Sequence, residues 1–201
     1  MGGRSGIARA GLTLAAACAL AVPAVAQFSD SFNFIKAVRD GDGEKVMTYL
    51  NKPGQPVLNT RDGSTGETVL HIVVKKHDQT WLAFLLSRGA QTELRDREGN
   101  TPLLTAVHIS DAESARMLLQ YGAKVNATNG RGETPLVVAV QQRDLPSIRL
   151  LVTNGADPKI ADTMAGKNAR DYASEDNRGT AILRILDEAK PKPSTVVGPV
   201  Q

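Results

Sequence analysis

Three histidines, His71, His77 and His108, are the side chains best suited to move a proton or hold a metal in this chain of 201 residues. A zinc site needs three or four ligands converging on one point. These histidines fall at unrelated positions in the local pattern, and the single cysteine, Cys18, sits near the start of the chain. The residues predict no metal and no cofactor. Ser87, Ser110, Ser114 and Ser147 lack the Gly-x-Ser-x-Gly surroundings of an activated serine. Gly130-Arg131-Gly132 lacks the strand-to-helix setting in which a glycine loop cradles phosphate. No residue is therefore predicted to be catalytic. A degenerate enzyme with His108 as its acid or base is the most distant of the alternatives.

The elements that carry these residues follow a fixed interval. Thr101-Pro102-Leu103 and Thr134-Pro135-Leu136 lie 33 residues apart, and Thr68-Val69-Leu70-His71 lies 33 residues before the first. Gly89-Ala90, Gly122-Ala123 and Gly155-Ala156 keep the same step. Two markers with one period describe a stack of small units, in which function lies along an extended surface instead of in one central cleft.

Each unit reads as turn, helix, helix. Asp96-Arg97-Glu98-Gly99-Asn100 are turn formers. Thr101 suits a helix N-cap and Pro102 the first helical position, where a missing N–H costs nothing. Leu103, Ala106 and Val107 make the stripe of an inner helix. Ser110-Asp111 breaks that helix and caps the next, whose stripe is Ala115, Leu118 and Leu119 and whose end is Gly122. Leu70, Val73, Val74, Leu82, Leu85 and Leu86 fill the same places one unit earlier, and Leu136, Ala139, Val140, Ile148, Leu151 and Val152 one unit later. Phe34, Ala37, Val38, Val46, Tyr49 and Leu50 form an atypical first pair; Tyr172, Ala173, Ile182, Ile185 and Leu186 form a last one, polar outside. Trp81 stands where an outer helix takes an aliphatic residue, and packing between two outer helices is its expected use.

This order resembles the ankyrin repeat family: a β-turn finger, an inner helix opened by Thr-Pro-Leu-His and an outer helix ended by Gly-Ala. Only His71 keeps the histidine; Leu104, Val137 and Arg170 stand in its place elsewhere. Two turns carry an extra residue, at Gly63-Ser64-Thr65 and at Asp162-Thr163-Met164-Ala165. The resemblance implies an all-α repeat fold: an ankyrin solenoid of stacked helix-turn-helix units with β-turn fingers, three full repeats and a capping repeat at each end. The expected boundaries are 32–61, 62–95, 96–128, 129–161 and 162–189 within a domain at 27–189. It also implies a concave face made by finger tips and the exposed side of the inner helices. Carried onto this chain, that face holds Lys75, Lys76, Arg97, Glu98, Asn100, His108, Ile109, Arg131, Glu133, Gln141 and Gln142. Ile109 is the one apolar member, beside His108, and charge rims the pair, as in a modest protein-binding surface.

The ends read differently. Arg4 and Arg9 precede an apolar run from Gly11 to Val22, and Ala24-Val25-Ala26 then places small residues two apart. That is the pattern of a secretory leader, residues 1–26, cut between Ala26 and Gln27. It predicts a periplasmic or secreted protein with no stable membrane insertion once the leader is gone. Residues 190–201, with Pro191 and Pro193, read as a solvated, disordered tail. Removing Arg4 and Arg9 leaves 22 basic and 21 acidic residues. So even a balance, with few aromatics, argues against a nucleic-acid partner. The expected function is non-enzymatic binding of a partner protein, as a monomer, through the concave face. The alternative is an accessory or stabilising factor for an exported enzyme.

Overall fold

Thr-Pro and Asp place most of the helices of this stack, and glycines end four of them. The structure is a computed structural model that describes residues 24–52 and 57–188. Ten helices follow in order: α1 (Ala24–Asp40), α2 (Gly43–Leu50), a 3-10 turn (Val57–Asn59), α3 (Val69–Lys75), α4 (Gln79–Ser87), α5 (Pro102–His108), α6 (Ala112–Gln120), α7 (Pro135–Gln141), α8 (Leu145–Thr153), α9 (Ala169–Glu175) and α10 (Thr180–Glu188). They pair as α1–α2, α3–α4, α5–α6, α7–α8 and α9–α10, with inner helices packed on inner helices along the stack. Among the described residues no helix is long and apolar enough to cross a membrane. Residues 1–23 of the expected leader and the expected tail at 190–201 lie outside the described residues, and the expected cut between Ala26 and Gln27 falls within α1.

Local chemistry accounts for each boundary. Thr101 and Thr134 accept the N–H of Leu104 and Val137 at 3.3 and 3.2 Å, with Pro102 and Pro135 at the first helical position. Asp42, Asp78, Asp111 and Asp144 cap the outer helices α2, α4, α6 and α8 in the same manner. The outer helix α6 ends at Gly122 (φ +87°), whose N–H reaches Leu119 O while Ala123 N–H reaches Leu118 O. This crossed pair of bonds satisfies carbonyls that the helix leaves open.

The inner helices end on the same crossed bonds without glycine. His77, Ser110 and Arg143 have φ of 54°, 56° and 58°. The N–H groups of His77 and Asp78 bond Val74 O and Val73 O, and the pattern recurs 33 residues later twice. A left-handed residue with a side chain costs about 1–2 kcal/mol. Each of the three sends its side chain to the next unit: His77 Nδ1 to Asp111 at 3.0 Å, Ser110 Oγ to Gln142 at 3.4 Å, and Arg143 to Asp176 at 2.5 and 2.9 Å.

The inner helices are enclosed more fully than their stripes predict. Val69 to Val74, Pro102 to Val107 and Pro135 to Val140 are buried without interruption. The expectation of one apolar stripe per inner helix is corrected here. Two neighbouring inner helices, an outer helix and a finger surround each one, so Leu104 and Val137 are as buried as Leu103 and Leu136. Outer helices keep one wet side, and Leu119, Tyr49 and Leu50 are only partly buried; Tyr172 is partly buried too, on α9, the inner helix of the last pair. Trp81 packs as expected. Its ring stands edge-to-face on Phe84 at 5.2 Å, and a Cβ on Gly43 of α2 would lie 3.1 Å from the indole.

Two equivalent serines test the caps. Ser114 is fully buried and donates to Asp111 Oδ2 at 2.7 Å. Ser147 is equally buried, but its Oγ and Asp144 Oδ2 find no partner among the described residues. A buried hydroxyl without a partner contributes little, whereas removing one partner of a bonded pair leaves the other unsatisfied. Ser114→Ala is expected to lower stability by about 1–3 kcal/mol, and Ser147→Ala to leave it unchanged or raise it. Urea denaturation of both variants checks this; equal losses would show that the two caps do not differ.

Candidate protein-binding face

The fingers join into a continuous edge through their backbones. Arg97 N–H donates to Thr65 O at 3.0 Å, Gly130 N–H to Glu98 O at 3.0 Å, and Thr163 N–H to Arg131 O at 2.9 Å. Each finger therefore registers the next, and the extra residues at Ser64 and Met164 are accommodated at the tips. There Asp62 accepts the N–H groups of Ser64 and Thr65, and Asp162 those of Met164 and Ala165.

Behind the tips, a row of residues just before the inner-helix caps faces a row at the inner-helix ends. Glu67 faces Lys75 and bonds it at 2.5 Å. Lys167 faces Glu175 and bonds it at 2.7 Å, the same pair with its charges exchanged. The two central units place Asn100 and Glu133 opposite His108 and Gln141, with no such bond. The groove is thus closed by ion pairs at both ends and left open in the middle.

The structure sorts the expected face residues by what already engages them. Lys75 is held by Glu67. Lys76 Nζ donates to the carbonyls of Val38 and Arg39, closing the end of α1. Arg97 donates to Gly63 O. Glu98 accepts from Asn100 Nδ2 at 3.1 Å. Arg131 and Glu133 hold each other at 2.8 Å. Gln142 donates to His108 O at 2.9 Å and lies near Ser110.

Asn100 must be corrected as a surface residue. It is 6% exposed, and its amide is spent on Asp96, Glu98 and Asn129 of the adjoining finger. Turn chemistry made it look exposed; the next finger covers it.

His108 and Ile109 are the members of the set without a side-chain hydrogen bond or ion pair among the described residues, and Gln141 sits beside the Tyr172 hydroxyl. His108 is half-buried. Burial pushes its imidazole below the ordinary histidine value, against the pull of Glu133. Ile109 ends α5 and rests partly on the core.

Next to this stretch lies an open hollow of about 450 Å³, walled by Val140, Gln141, Arg143, Tyr172, Glu175, Asp176 and Asn177. Arg143 and Asn177 were not anticipated as face residues. The signal that finds Arg143 is positional: it follows His77 and Ser110 by the repeat interval, at the left-handed turn between two helices. The histidines do not converge, and among the described residues no group of three or more His, Cys, Asp and Glu could hold a metal.

The comparisons agree with this architecture. The model of a family described as ankyrin repeats, in three copies, matches residues 34–129 and 82–162. An oxysterol-binding protein homolog of Saccharomyces cerevisiae, homolog 1, is 38% identical over 85 residues. That stretch is 41% of this chain, which spans 7% of the length of that relative. Stacked helix pairs, fingers joined edge to edge and a family match over more than half of the sequence lead to one assignment: the chain belongs to the ankyrin repeat family.

Proposed function

We propose that this chain is an exported, non-enzymatic, monomeric module that binds one protein partner through the centre of its concave face. Ankyrin repeats generally mediate contacts between proteins. The observation that supports this location is the gap in the ion-pair rows: Glu67–Lys75 and Lys167–Glu175 close the ends, while between them His108 and Ile109 are unengaged and Gln141 reaches only the Tyr172 hydroxyl. A partly apolar patch with polar neighbours is the make-up of an interface centre. The flanking charges neutralise one another, so contact at this centre is led by packing and hydrogen bonds and depends weakly on salt. Export is supported by Arg4 and Arg9, the apolar run to Val22 and Ala24-Val25-Ala26. The sterol in the name of the yeast relative is not carried over, because the shared stretch is 7% of that protein.

The test is affinity capture from an osmotic-shock fraction with wild type and with His108→Ala, Ile109→Ala and Gln141→Ala combined. The expected result is a stoichiometric partner whose recovery falls at least about tenfold with the triple variant, since central contacts carry most of the energy. Circular dichroism shows whether the variant is folded. Equal recovery by both proteins would place the contact elsewhere. N-terminal sequencing of the recovered chain tests export separately: Gln27 as first residue is expected, and an intact Met1 overturns it.

A further inference from the structure

We propose that the junction between the first and second full repeats is a proton-operated joint. In mild acid its finger edge opens while its turn edge stays hinged, loosening α1–α4 from α5–α10.

The geometry begins with His71, which is fully buried. Its Nδ1 lies 3.1 Å from Thr68 N and 2.9 Å from Thr68 Oγ1; its Nε2 lies 3.0 Å from Asn100 O. A backbone N–H can only donate, so Nδ1 carries no proton and Nε2 carries one. One neutral imidazole thus caps α3 and ties the first full repeat to the finger of the second. A second proton would set Nδ1–H against Thr68 N–H and break the cap. The Nε2–H bond to Asn100 O would survive that proton; what the closed joint refuses is a charged ring sealed from water with its cap broken, and parting of the second finger from α3 lets water reach the fully buried ring.

The other edge of the same junction behaves differently. His77 Nδ1 meets Asp111 Oδ2 at 3.0 Å, and His77 is exposed. Nδ1 can donate to the carboxylate whether the ring is neutral or charged, so this bond persists in acid. Among the described residues no other junction has these features. Leu104 and Val137 replace His71, and Ser110–Gln142 and Arg143–Asp176 replace His77–Asp111. Proton sensitivity of this kind is therefore confined to one place in the stack.

The charges around His71 are Glu67 and Lys75 on its own repeat and Asp96 on the second finger. From α1, Arg39 reaches Asp62 at 2.9 Å and Glu67 at 3.3 Å. From α4 comes its cap, Asp78. The buried part of α5, Pro102 to Val107, bears no charged side chain. His108 at its end faces Glu133, Arg131, Glu98 and Asp96. Burial, the largest influence, drives the His71 imidazole below its ordinary value despite the Asn100 carbonyl, Asp96 and Glu67.

The sign follows. Below pH about 6.5 the opened state binds a proton that the closed state refuses, so closure weakens as pH falls toward the depressed folded value. The limit is tenfold per pH unit well below that value, and about sixteenfold from pH 6.5, where the opened state is half protonated, to 5.0. The carboxylates act in a lower window. Burial alone would raise Glu67, but bonds from Lys75 and Thr65 bring it below the ordinary range; a bond from Ser64 leads in lowering Asp62. Their stabilisation is present above the ordinary carboxylate values and is lost only as pH falls further.

Three equivalent bonds between fingers make the test internal. Amide exchange of Arg97, Gly130 and Thr163 is followed by NMR in the full chain at pH 6.5 and 5.0, corrected for intrinsic rates. Protection of Arg97 is expected to fall at least about tenfold, with less than a twofold change at Gly130 and Thr163. His71→Leu, which copies the residue at position 104, should abolish the pH dependence at Arg97; His108→Gln should leave it. A parallel fall at all three amides, no fall at Arg97, or a fall that survives His71→Leu each overturns the proposal. The wild-type pattern decides alone if His71→Leu does not fold.

Discussion

Leu118→Ala is expected to cost about 3 kcal/mol, within the roughly 2–5 kcal/mol seen when a buried leucine is cut back to alanine. Leu118 is fully buried in α6, which packs on α5 and lies between α4 and α8. Its loss removes the transfer energy of the side chain and leaves a cavity bordered by helices from three repeats, which cannot all move inward together. For a chain of this size, 1 kcal/mol shifts the midpoint by about 2–4 °C, so thermal denaturation should show a fall of about 6–12 °C. Leu119→Ala is the control. Leu119 is only half-buried, and about 1 kcal/mol is expected from the smaller area returned to water. The neighbours in sequence therefore differ because a helix turns about 100° per residue. If both variants lost the same stability, the register of α6 would be wrong.

The outer helices were the most legible part of the chain, because one wet side leaves a readable apolar period. Asp111, Leu118 and Gly122 could each be assigned to cap, core and end from spacing. The inner helices were less legible for a physical reason. Enclosure on all sides erases the contrast that a period depends on, so Leu104 and Thr105 gave no sign of being as deep as Leu103. Asn100 failed in the opposite direction. Its residue type predicts a wet turn, but the second finger is roofed by the third, and Asn129 Nδ2 reaches Asn100 Oδ1 at 3.3 Å. A contact between residues 29 apart leaves no local mark.

The face residues show the same limit. Spacing identified which positions look into the groove; it carried no information on what they bond. Lys76 illustrates this. It lies at the expected place, yet its ammonium closes the end of α1, two helices earlier in the chain. Ser110 reads as a helix breaker, but the left-handed conformation it shares with His77 and Arg143 has no mark in the residue types, because that conformation is sought in glycine, and the repeat interval alone relates them. Their strain of about 1–2 kcal/mol each is offset in part by bonds to the following unit. The stack thereby gains links between repeats along the turn edge as well as along the fingers.

Gly99→Ala carries the second large effect, and it acts on the finger edge itself. Gly99 has φ +83°, which costs a residue with a side chain about 1–2 kcal/mol. A Cβ there would also stand 2.5 Å from Gly130 N and 3.2 Å from Asn129 C. These are backbone atoms of the next finger, so no rotamer change relieves the clash. Separation of the two fingers breaks the bond from Gly130 N–H to Glu98 O and the amide contact between Asn129 and Asn100. Each lost bond adds about 1 kcal/mol, for an expected total of about 3–4 kcal/mol. Gly122→Ala isolates the backbone part. Gly122 has φ +87°, but a Cβ there meets nothing within 4 Å, so only the conformational cost of about 1–2 kcal/mol applies. The difference between the two variants in urea denaturation measures the interlock of adjacent fingers. It should be accompanied by loss of partner capture with Gly99→Ala alone, because Glu98 and Arg131 on the two fingers frame His108. Equal destabilisation by both variants would mean that the fingers add nothing to cohesion, and the register of the face would then rest on the helices.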